Sequence, residues 1–199
     1  MSSMEKILSL SQLDLRGLYT YADYLTWQFD QAVELIKGKI LPMAEPSRRH
    51  QQISRDLNGT LFNFFKKNPC EFYAAPFDVR LFDKRKSVKA NKDVYSVVQP
   101  DICVICDESK LDTRGCLGAP DLVIEILSPS NRKYDTELKK QLYEQFGVPE
   151  YWIVDPDECL VSRYLLDAAG RFSDAVEFNE TIIFDRIPGG AIVDLTRVW

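Results

Sequence analysis

The chain has 199 residues, a formal net charge of −5, and a composition that is 45% hydrophobic and 28% charged. These values are typical of one folded domain. They exclude a disordered chain and a protein that binds polyanions over its whole surface. No apolar run approaches the roughly 20 residues that cross a bilayer, and the N-terminus lacks a secretory signal. We therefore expect a cytoplasmic protein with no membrane partner.

The first predicted elements are an N-terminal arm and a hairpin. Residues 1–18 show no clear periodicity, so we expect them to form an arm on a single domain that spans residues 1–199. Residues 32–41 alternate in polarity around Lys37-Gly38-Lys39, which predicts a hairpin with Glu34 on its first strand. From the residues alone, the simplest interpretation of Glu34 is a half-exposed strand glutamate.

The longest predicted helix covers residues 47–67, because Ile53, Leu57 and Leu61 recur on one face. His50 lies in its first turn. It is the only histidine in the sequence, so a histidine-based triad or a multi-histidine metal site would depend on this residue alone. A histidine at a helix start more often has a structural role.

A basic segment begins with this helix. Residues 48–92 contain eleven Lys and Arg against four Asp and Glu, a net charge of +7, so the remainder of the chain holds −12. This asymmetry favours one side that faces nucleic acid, although solvated loop lysines explain it almost as well. The residues that we expect to contact nucleic acid are Arg48, Arg49, Lys84, Arg85 and Lys86.

Two apolar runs each contain one carboxylate. Asp101 interrupts the run over residues 94–106, and Glu125 interrupts the run over residues 122–127, which is typical of a strand covered on both faces. An ionised carboxylate in a buried strand must be neutralised, paired or bound to a metal. A salt bridge to Lys139 would satisfy Glu125 without a metal, and a divalent cation shared with Asp101 is the alternative.

Lys139 is predicted on a helix that Asp135 or Thr136 caps and that Gly147 ends. An Asp, a Glu on the next hydrophobic strand and a Lys on the following helix suit a magnesium-dependent phosphodiesterase. In such a site two acidic oxygens hold the ion, and an ammonium steadies the attacking water or the phosphate charge. The simpler alternative for Asp135 and Lys139 is a surface ion pair four residues apart.

The cysteines predict reduced thiols, because their number is odd and their spacing forms no disulfide framework. Cys103 and Cys106 form a C-x-x-C motif, but their opposite side-chain parity on a buried strand suits a zinc knuckle badly. A redox or zinc protein is therefore the less favoured alternative. The last forty residues contain short runs separated by turn residues, which predict extra antiparallel strands at the C-terminus.

Asp101, Glu125 and the segment 135–156 resemble the Uma-type family of restriction-endonuclease-like proteins, within the PD-(D/E)XK nuclease superfamily. Glu34 and His50 extend the resemblance in weaker form. The resemblance implies a mixed α+β fold of the α/β nuclease type, with a restriction-endonuclease-like core in which helices flank a mixed β-sheet. It also implies bound Mg²⁺ or Mn²⁺ and a nucleic-acid substrate.

The resemblance implies catalytic roles for Asp101, Glu125 and Lys139. Asp101, Glu125 and the backbone carbonyl of Ile126 would hold the metal, and Glu34 and His50 would lie at the cleft.

The sequence departs from the superfamily pattern in the E-x-K slot, which Leu127 occupies, and Lys139 is the substitute that we expect. The predicted function is a metal-dependent endonuclease that hydrolyses phosphodiester bonds in DNA. A homodimer would suit cleavage of both strands. The alternative is a catalytically inactive nuclease-fold module that binds DNA or regulates.

Overall fold

Two six-stranded mixed sheets dominate the structure, a computed structural model that describes residues 7–82, 93–190 and 192–199. The predicted nucleic-acid contacts Lys84, Arg85 and Lys86 lie outside the described residues. Within the described residues, the strands are β1 Val33–Ile36, β2 Lys39–Pro42, β3 Glu71–Ala74, β4 Val79–Leu81, β5 Ser96–Val98, β6 Ile102–Ile105, β7 Leu111–Asp112, β8 Gly115–Leu117, β9 Leu122–Ile126, β10 Glu150–Asp155, β11 Leu160–Leu165, β12 Val176–Phe178, β13 Thr181–Ile183 and β14 Ile192–Asp194.

Three α-helices pack with these strands in the described part of the chain: α1 Tyr21–Tyr24, α2 Arg48–Phe65 and α3 Lys140–Phe146. A π-helical turn, Tyr134–Lys139, runs directly into α3. Short 3₁₀ turns at Leu10–Gln12, Glu108–Lys110 and Leu195–Arg197 complete the elements. The mixed α+β fold that we expected is confirmed, but its strands form two large sheets instead of one.

The first sheet has the strand order β2-β1-β5-β4-β8-β7. The hairpin predicted from the sequence is confirmed: β1 pairs with β2 in antiparallel register, with Glu34 opposite Leu41. Lys37 and Gly38 form its turn with φ values of 51° and 81°, the left-handed conformation that two-residue hairpin turns require. The sheet therefore presents Glu34 from its second strand.

The second sheet has the order β12-β11-β10-β9-β6-β3 and contains both predicted carboxylate-bearing segments. The chain crosses from the first sheet to the second between β5 and β6, at Gln99, Pro100 and Asp101. Strand β6 pairs antiparallel with β9, whereas β9 and β10 are parallel and are connected through the π-helical turn and α3. The strand–helix–strand unit predicted from the sequence is thus present.

Strand β9 is buried on both faces, as predicted. Leu122, Ile124 and Ile126 pack on one face in a cluster with α2. Val123 belongs to a second cluster on the opposite face, together with residues of α3. Because side chains alternate along a strand, Glu125 points to the face that α3 covers.

Helix α2 agrees closely with the helix predicted over residues 47–67. Ser47 is its N-cap, and the Ser47 side chain accepts a hydrogen bond from the backbone N–H of His50. Ile53, Leu57 and Leu61 are fully buried, which confirms the predicted apolar face. This burial anchors the first turn of α2, and with it His50, against the second sheet.

The N-terminal segment that the structure describes, from Ile7, packs on the third hydrophobic cluster, which includes Trp27. Ile7 forms a bridge with Trp27, and Leu10 and Leu13 contact the cluster between the N-terminal segment and the first sheet.

The C-terminal strands are antiparallel, as predicted: β10 pairs with β11, β11 with β12, and β13 with β14. No helix within the described segments is long and apolar enough to cross a membrane.

The expectation of reduced thiols is wrong for two of the five cysteines. Cys70 and Cys106 form a disulfide. Glu71 pairs with Ile105 in the β3–β6 ladder, so the two cysteines lie opposite each other one residue beyond the paired strands. Their separation of 36 residues gave no local sign of this contact. Cys103, Cys116 and Cys159 are free thiols.

The end of α3, the helix that continues the turn containing Lys139, can be tested at Gly147, with Gly59 of α2 as the control. Gly147 ends α3 with φ of 80°, whereas Gly59 lies within α2, and a Cβ at either position would meet nothing within 4 Å. We expect Gly147→Ala to lower the free energy of unfolding by about 1 kcal/mol, because an L-residue is strained in the left-handed conformation. Gly59→Ala, the matched control, should raise it by up to about 1 kcal/mol. Urea denaturation measures both, and an unchanged stability for Gly147→Ala would contradict this helix end.

Candidate active site

A cleft of about 930 Å³ lies where the two sheets meet α2 and the π-helical turn. Its walls come from β1, from the β5–β6 crossing, from β9 and from both helical segments. Lys139 is the only Lys or Arg among the described residues that line it. Its buried or half-buried Asp, Glu, His and Lys side chains are Glu34, His50, Asp101, Glu125, Asp135 and Lys139, and the exposed Asp30 and Glu45 also line it.

Asp101 and Glu125 face each other across neighbouring strands. In the β6–β9 ladder Ile102 pairs with Ile124, which places Asp101, one residue before β6, opposite Glu125. The backbone N–H of Asp101 lies 3.4 Å from Glu125 Oε2. The two carboxylates predicted to share an ion therefore point to the same face of the sheet.

The Asp101 carboxylate is fixed at one oxygen. Asp101 Oδ2 accepts a hydrogen bond of 2.7 Å from the backbone N–H of Ile126 and lies 3.1 Å from His50 Nε2. Among the described residues, Asp101 Oδ1 accepts no hydrogen bond. His50 is buried, which by itself lowers its pKa, but the hydrogen bond and the charge of Asp101 outweigh burial and raise this pKa above its usual value.

Lys139 is the centre of the cluster. Its Nζ lies 3.0 Å from Glu34 Oε1, 3.0 Å from Glu125 Oε1 and 3.6 Å from Asp135 Oδ1. Burial alone would lower the pKa of Lys139, but the surrounding carboxylates raise it well above its usual range, so the ammonium stays charged. One buried cation thus connects the first sheet, the second sheet and the π-helical turn.

A tyrosine completes the environment of Glu125. Tyr143, on α3, donates a hydrogen bond of 2.6 Å to Glu125 Oε1, the same oxygen that Lys139 contacts. Tyr151 donates to the backbone carbonyl of Asp135, which fixes the π-helical turn against β10. These bonds satisfy one side of the Glu125 carboxylate and leave Oε2 directed to Asp101.

The cluster has more negative charge than one lysine neutralises. Glu125 is 2% exposed and Asp135 is 1% exposed. Burial raises the pKa of Glu125 well above its usual range, and it raises the pKa of Asp135 to about 7, although Lys139 partly opposes both shifts. A further positive charge in the cleft would therefore favour the ionised forms of Glu125 and Asp135.

These residues fit a divalent cation. Asp101 Oδ1 and Glu125 Oε2 are carboxylate oxygens with free lone pairs, and the Ile126 carbonyl accepts one bond of 3.3 Å from Asn131 and retains a second lone pair. Asp135 Oδ2 is buried and has no hydrogen-bond partner among the described residues. Within those residues no three His, Cys, Asp or Glu side chains form a ligand set by themselves. A site of two carboxylates and one backbone carbonyl does not need three such side chains.

The comparison with protein families agrees with this geometry. A family described as "Putative restriction endonuclease", Uma2, matches residues 21–195. The chain belongs to the Uma2 family. The match covers both sheets, both long helical segments and every residue of the cluster.

The Uma2 chain is also similar to two cyanobacterial proteins and to one solved structure. It is 29% identical to the uncharacterized protein slr1290 of Synechocystis sp. over 61% of the chain and 60% of that protein, so the aligned region spans less than two thirds of this relative. It is 26% identical to sll1609 of the same organism over 69% of the chain and 75% of that protein. A crystal structure titled as a putative nuclease of DUF820 from Anabaena variabilis superposes with a TM-score of 0.67. It has 19% identity over 90% of the chain and 97% of the solved structure. That likeness shows the fold.

Two expectations about the Uma2 chain need correction. Glu34 is not half-exposed: it is 3% exposed, and its Oε1 contacts Lys139 and accepts a hydrogen bond of 2.8 Å from the Gln99 N–H. Asp135 does not cap a helix or form a surface pair with Lys139, because the helical segment begins before it and buries it inside the π-helical turn. Both residues line the cleft, and elements that are distant in the sequence bury them.

The structure brings five of the residues predicted for the site into one cleft and places two others outside its lining. Glu34, His50, Asp101, Glu125 and Lys139 all line the same cleft. Arg48 and Arg49 are exposed on the first turn of α2, beside His50. The members of the cluster that the sequence interpretation did not assign to the site are Asp135, Tyr134 and Tyr143. Their spacing on one helical segment with Lys139, at −4, −5 and +4, was the available signal.

Asp135 gives a pH-dependent prediction. Its pKa is raised by burial from 3.8 to about 7 in the folded protein, so its folded state favours the protonated form. The stability that it contributes is full below pH 4 and is lost as the pH rises through 7. In metal-free protein, Asp135→Asn should therefore raise the melting temperature at pH 8, and this gain should shrink toward pH 5. Calorimetric scans across this range check the trend.

The matched control is Asp174→Asn, because Asp174 is exposed and does not line the cleft. It should shift the melting temperature equally little at both pH values. A gain for Asp135→Asn that is the same at pH 5 and pH 8 would contradict the burial of an ionisable carboxylate at this position.

Proposed function

We propose that this Uma2-family protein is a hydrolase: a metal-dependent endonuclease that cleaves phosphodiester bonds in DNA. The observation that supports this most is the pairing of Asp101 and Glu125 on one face of adjacent strands, at the floor of a cleft that also contains Lys139. A carboxylate pair that shares a divalent ion beside an ammonium is the arrangement expected for phosphodiester hydrolysis.

In this proposal Asp101, Glu125 and the Ile126 carbonyl hold Mg²⁺ or Mn²⁺. When bound, the ion polarises the phosphate and lowers the pKa of a bound water. The protein's own residues orient these ligands: the Ile126 N–H and His50 fix Asp101, and Tyr143 and Lys139 fix Glu125. A cation bound in the cleft would favour the ionised form of Asp135, whose charge would in turn favour the cation.

DNA binding is proposed from exposed basic residues near the cleft. Arg48 and Arg49 are exposed on the first turn of α2, between Pro46 and His50, which line the cleft, so they could contact the phosphate backbone of bound DNA. Contacts from Lys84, Arg85 and Lys86, a homodimer and a cytoplasmic location stay predictions from the sequence.

An alternative function is a nuclease-fold module that binds DNA or has a regulatory role and does not catalyse hydrolysis. One observation favours it: the E-x-K position is Leu127, and Lys139 directs its ammonium to three carboxylates. Calorimetric titration with Mn²⁺ separates the two proposals. The endonuclease should bind Mn²⁺ stoichiometrically, and Asp101→Asn should abolish this binding, whereas an inactive module should bind none at the cleft.

The test of the endonuclease is cleavage of plasmid and linear DNA with Mg²⁺ or Mn²⁺. We expect Asp101→Asn and Glu125→Gln each to lower the rate by at least about 100-fold, because each removes an anionic ligand. Asp174→Asn is the surface control and should cleave at the wild-type rate. Circular dichroism establishes that each variant is folded. Wild-type cleavage in both cleft variants would rule out this site.

A further inference from the structure

Helix α2 exposes a line of mostly basic side chains on the side opposite its core face. Ile53, Leu57 and Leu61 form the core face and are fully buried. Positions i, i+7, i+14 and i+18 counted from Arg48 fall within about 40° of one another, at about 100° per residue, on the opposite side. This line, the basic stripe, consists of Arg48, Arg55, Phe62 and Lys66, which are all exposed.

The basic stripe begins beside the cleft. Gln51 lines the cleft. It lies three residues after Arg48 and four before Arg55, and residues at these spacings are neighbours on a helix surface. From Arg48 to Lys66 the stripe extends about 27 Å, at a rise of about 1.5 Å per residue. A nucleic-acid strand that leaves the cleft past Gln51 therefore meets the stripe directly.

The charged groups of the stripe have accessible donors. Arg55 is 70% exposed and forms two hydrogen bonds to Asp56, through Nε at 2.7 Å and Nη2 at 2.8 Å. A guanidinium carries five N–H groups, so Arg55 retains three. The side chains of Arg48 and Lys66 have no partner among the described residues. Asp56 is the single acidic residue in the sequence of α2, so the stripe carries a positive potential that suits a polyanion.

Phe62 distinguishes the stripe from an ordinary solvated basic face. Its side chain is 56% exposed, between Arg55 and Lys66 in the stripe. The neighbouring rings of Phe64 and Phe65 both pack against Phe184, whereas Phe62 makes no ring contact within the described segments. An exposed aromatic ring between cations is the combination that binds single strands, because the cations contact phosphates and an unpaired base stacks on the ring. A paired base is held inside the duplex stack and cannot stack on it.

We propose that the basic stripe of α2 binds single-stranded DNA, with Arg55 and Lys66 on phosphates and one base stacked on Phe62. This inference rests on the proposed endonuclease function and specifies its substrate class. The strand runs from the cleft along the outer side of α2, so the stripe holds the DNA next to the scissile bond and has no role in the chemistry.

The first test measures the affinity of the full chain for a short fluorescein-labelled single-stranded DNA by anisotropy. The buffer contains EDTA, which prevents metal-dependent cleavage. Phe62→Ala should weaken this affinity by at least about 5-fold, the loss expected for one stacked base. Its affinity for the duplex of the same sequence should not change. Tyr95→Ala is the matched control, because Tyr95 is an aromatic residue that is 45% exposed outside the stripe, and it should bind as the wild type does.

The second test measures the salt dependence of the same affinity. A basic residue that contacts a phosphate of a single strand adds about 0.7 to the slope of log affinity against log salt. The double variant Arg55→Gln, Lys66→Gln should therefore lower the slope by about 1.4. The double variant Arg171→Gln, Arg197→Gln removes the same charge from two exposed, ion-paired arginines outside the stripe and should leave the slope unchanged.

These measurements need no turnover, so they separate this inference from the proposed endonuclease. A wild type that binds single-stranded DNA through the stripe but cleaves no DNA with Mg²⁺ or Mn²⁺ would contradict the endonuclease and support the stripe. Tighter binding of the duplex, or of RNA of the same sequence, would overturn the inference. Wild-type affinity in Phe62→Ala, an unchanged slope in the Arg55 and Lys66 variant, or no binding by the wild type would also overturn it. Melting temperatures equal to that of the wild type establish that the variants are folded.

Discussion

The buried ammonium of Lys139 is the interaction on which the site depends. It joins Glu34 of the first sheet, Glu125 of the second sheet and Asp135 of the π-helical turn at distances of 3.0 to 3.6 Å. Removal of this ammonium would leave the surrounding carboxylates desolvated without a compensating charge, a loss that typically costs about 3–5 kcal/mol. The ion-pair contacts between the two sheets and the π-helical turn at the cleft therefore depend on this cation.

The same cluster supports the proposal that a divalent cation binds there. Lys139 compensates one of four carboxylates, and burial raises the pKa of both Glu125 and Asp135. A metal ion bound at Asp101 and Glu125 would oppose the protonation that burial favours at Glu125 and Asp135, so binding of the ion and ionisation of these two residues would favour each other. The π-helical turn contributes to this arrangement, since π-helical segments occur often at functional sites. It places Tyr134, Asp135 and Lys139 on the wall of one cleft.

Much of this arrangement could be predicted from local patterns. The apolar run around Glu125 predicted a buried strand, the run before it predicted Asp101 as its neighbour, and the ladder between β6 and β9 has the two residues opposite each other. The hairpin with Glu34 and the helix with His50 follow from turn chemistry and from 3.6-residue periodicity. Burial of Glu34 and Asp135 could not be predicted this way, because the covering residues come from distant elements. The Cys70–Cys106 disulfide likewise depends on a pairing 36 residues apart. The spacing of apolar residues does not predict that Asp135 lies in a π-helical turn.

The most direct test of the central claim is anomalous diffraction from crystals of the protein soaked in Mn²⁺. The account predicts a manganese peak between the carboxylates of Asp101 and Glu125, within ligand distance of the Ile126 carbonyl, with Lys139 still in contact with Glu34. A peak at another place, or well-ordered carboxylates of Asp101 and Glu125 that bind no manganese at saturating concentration, would contradict it.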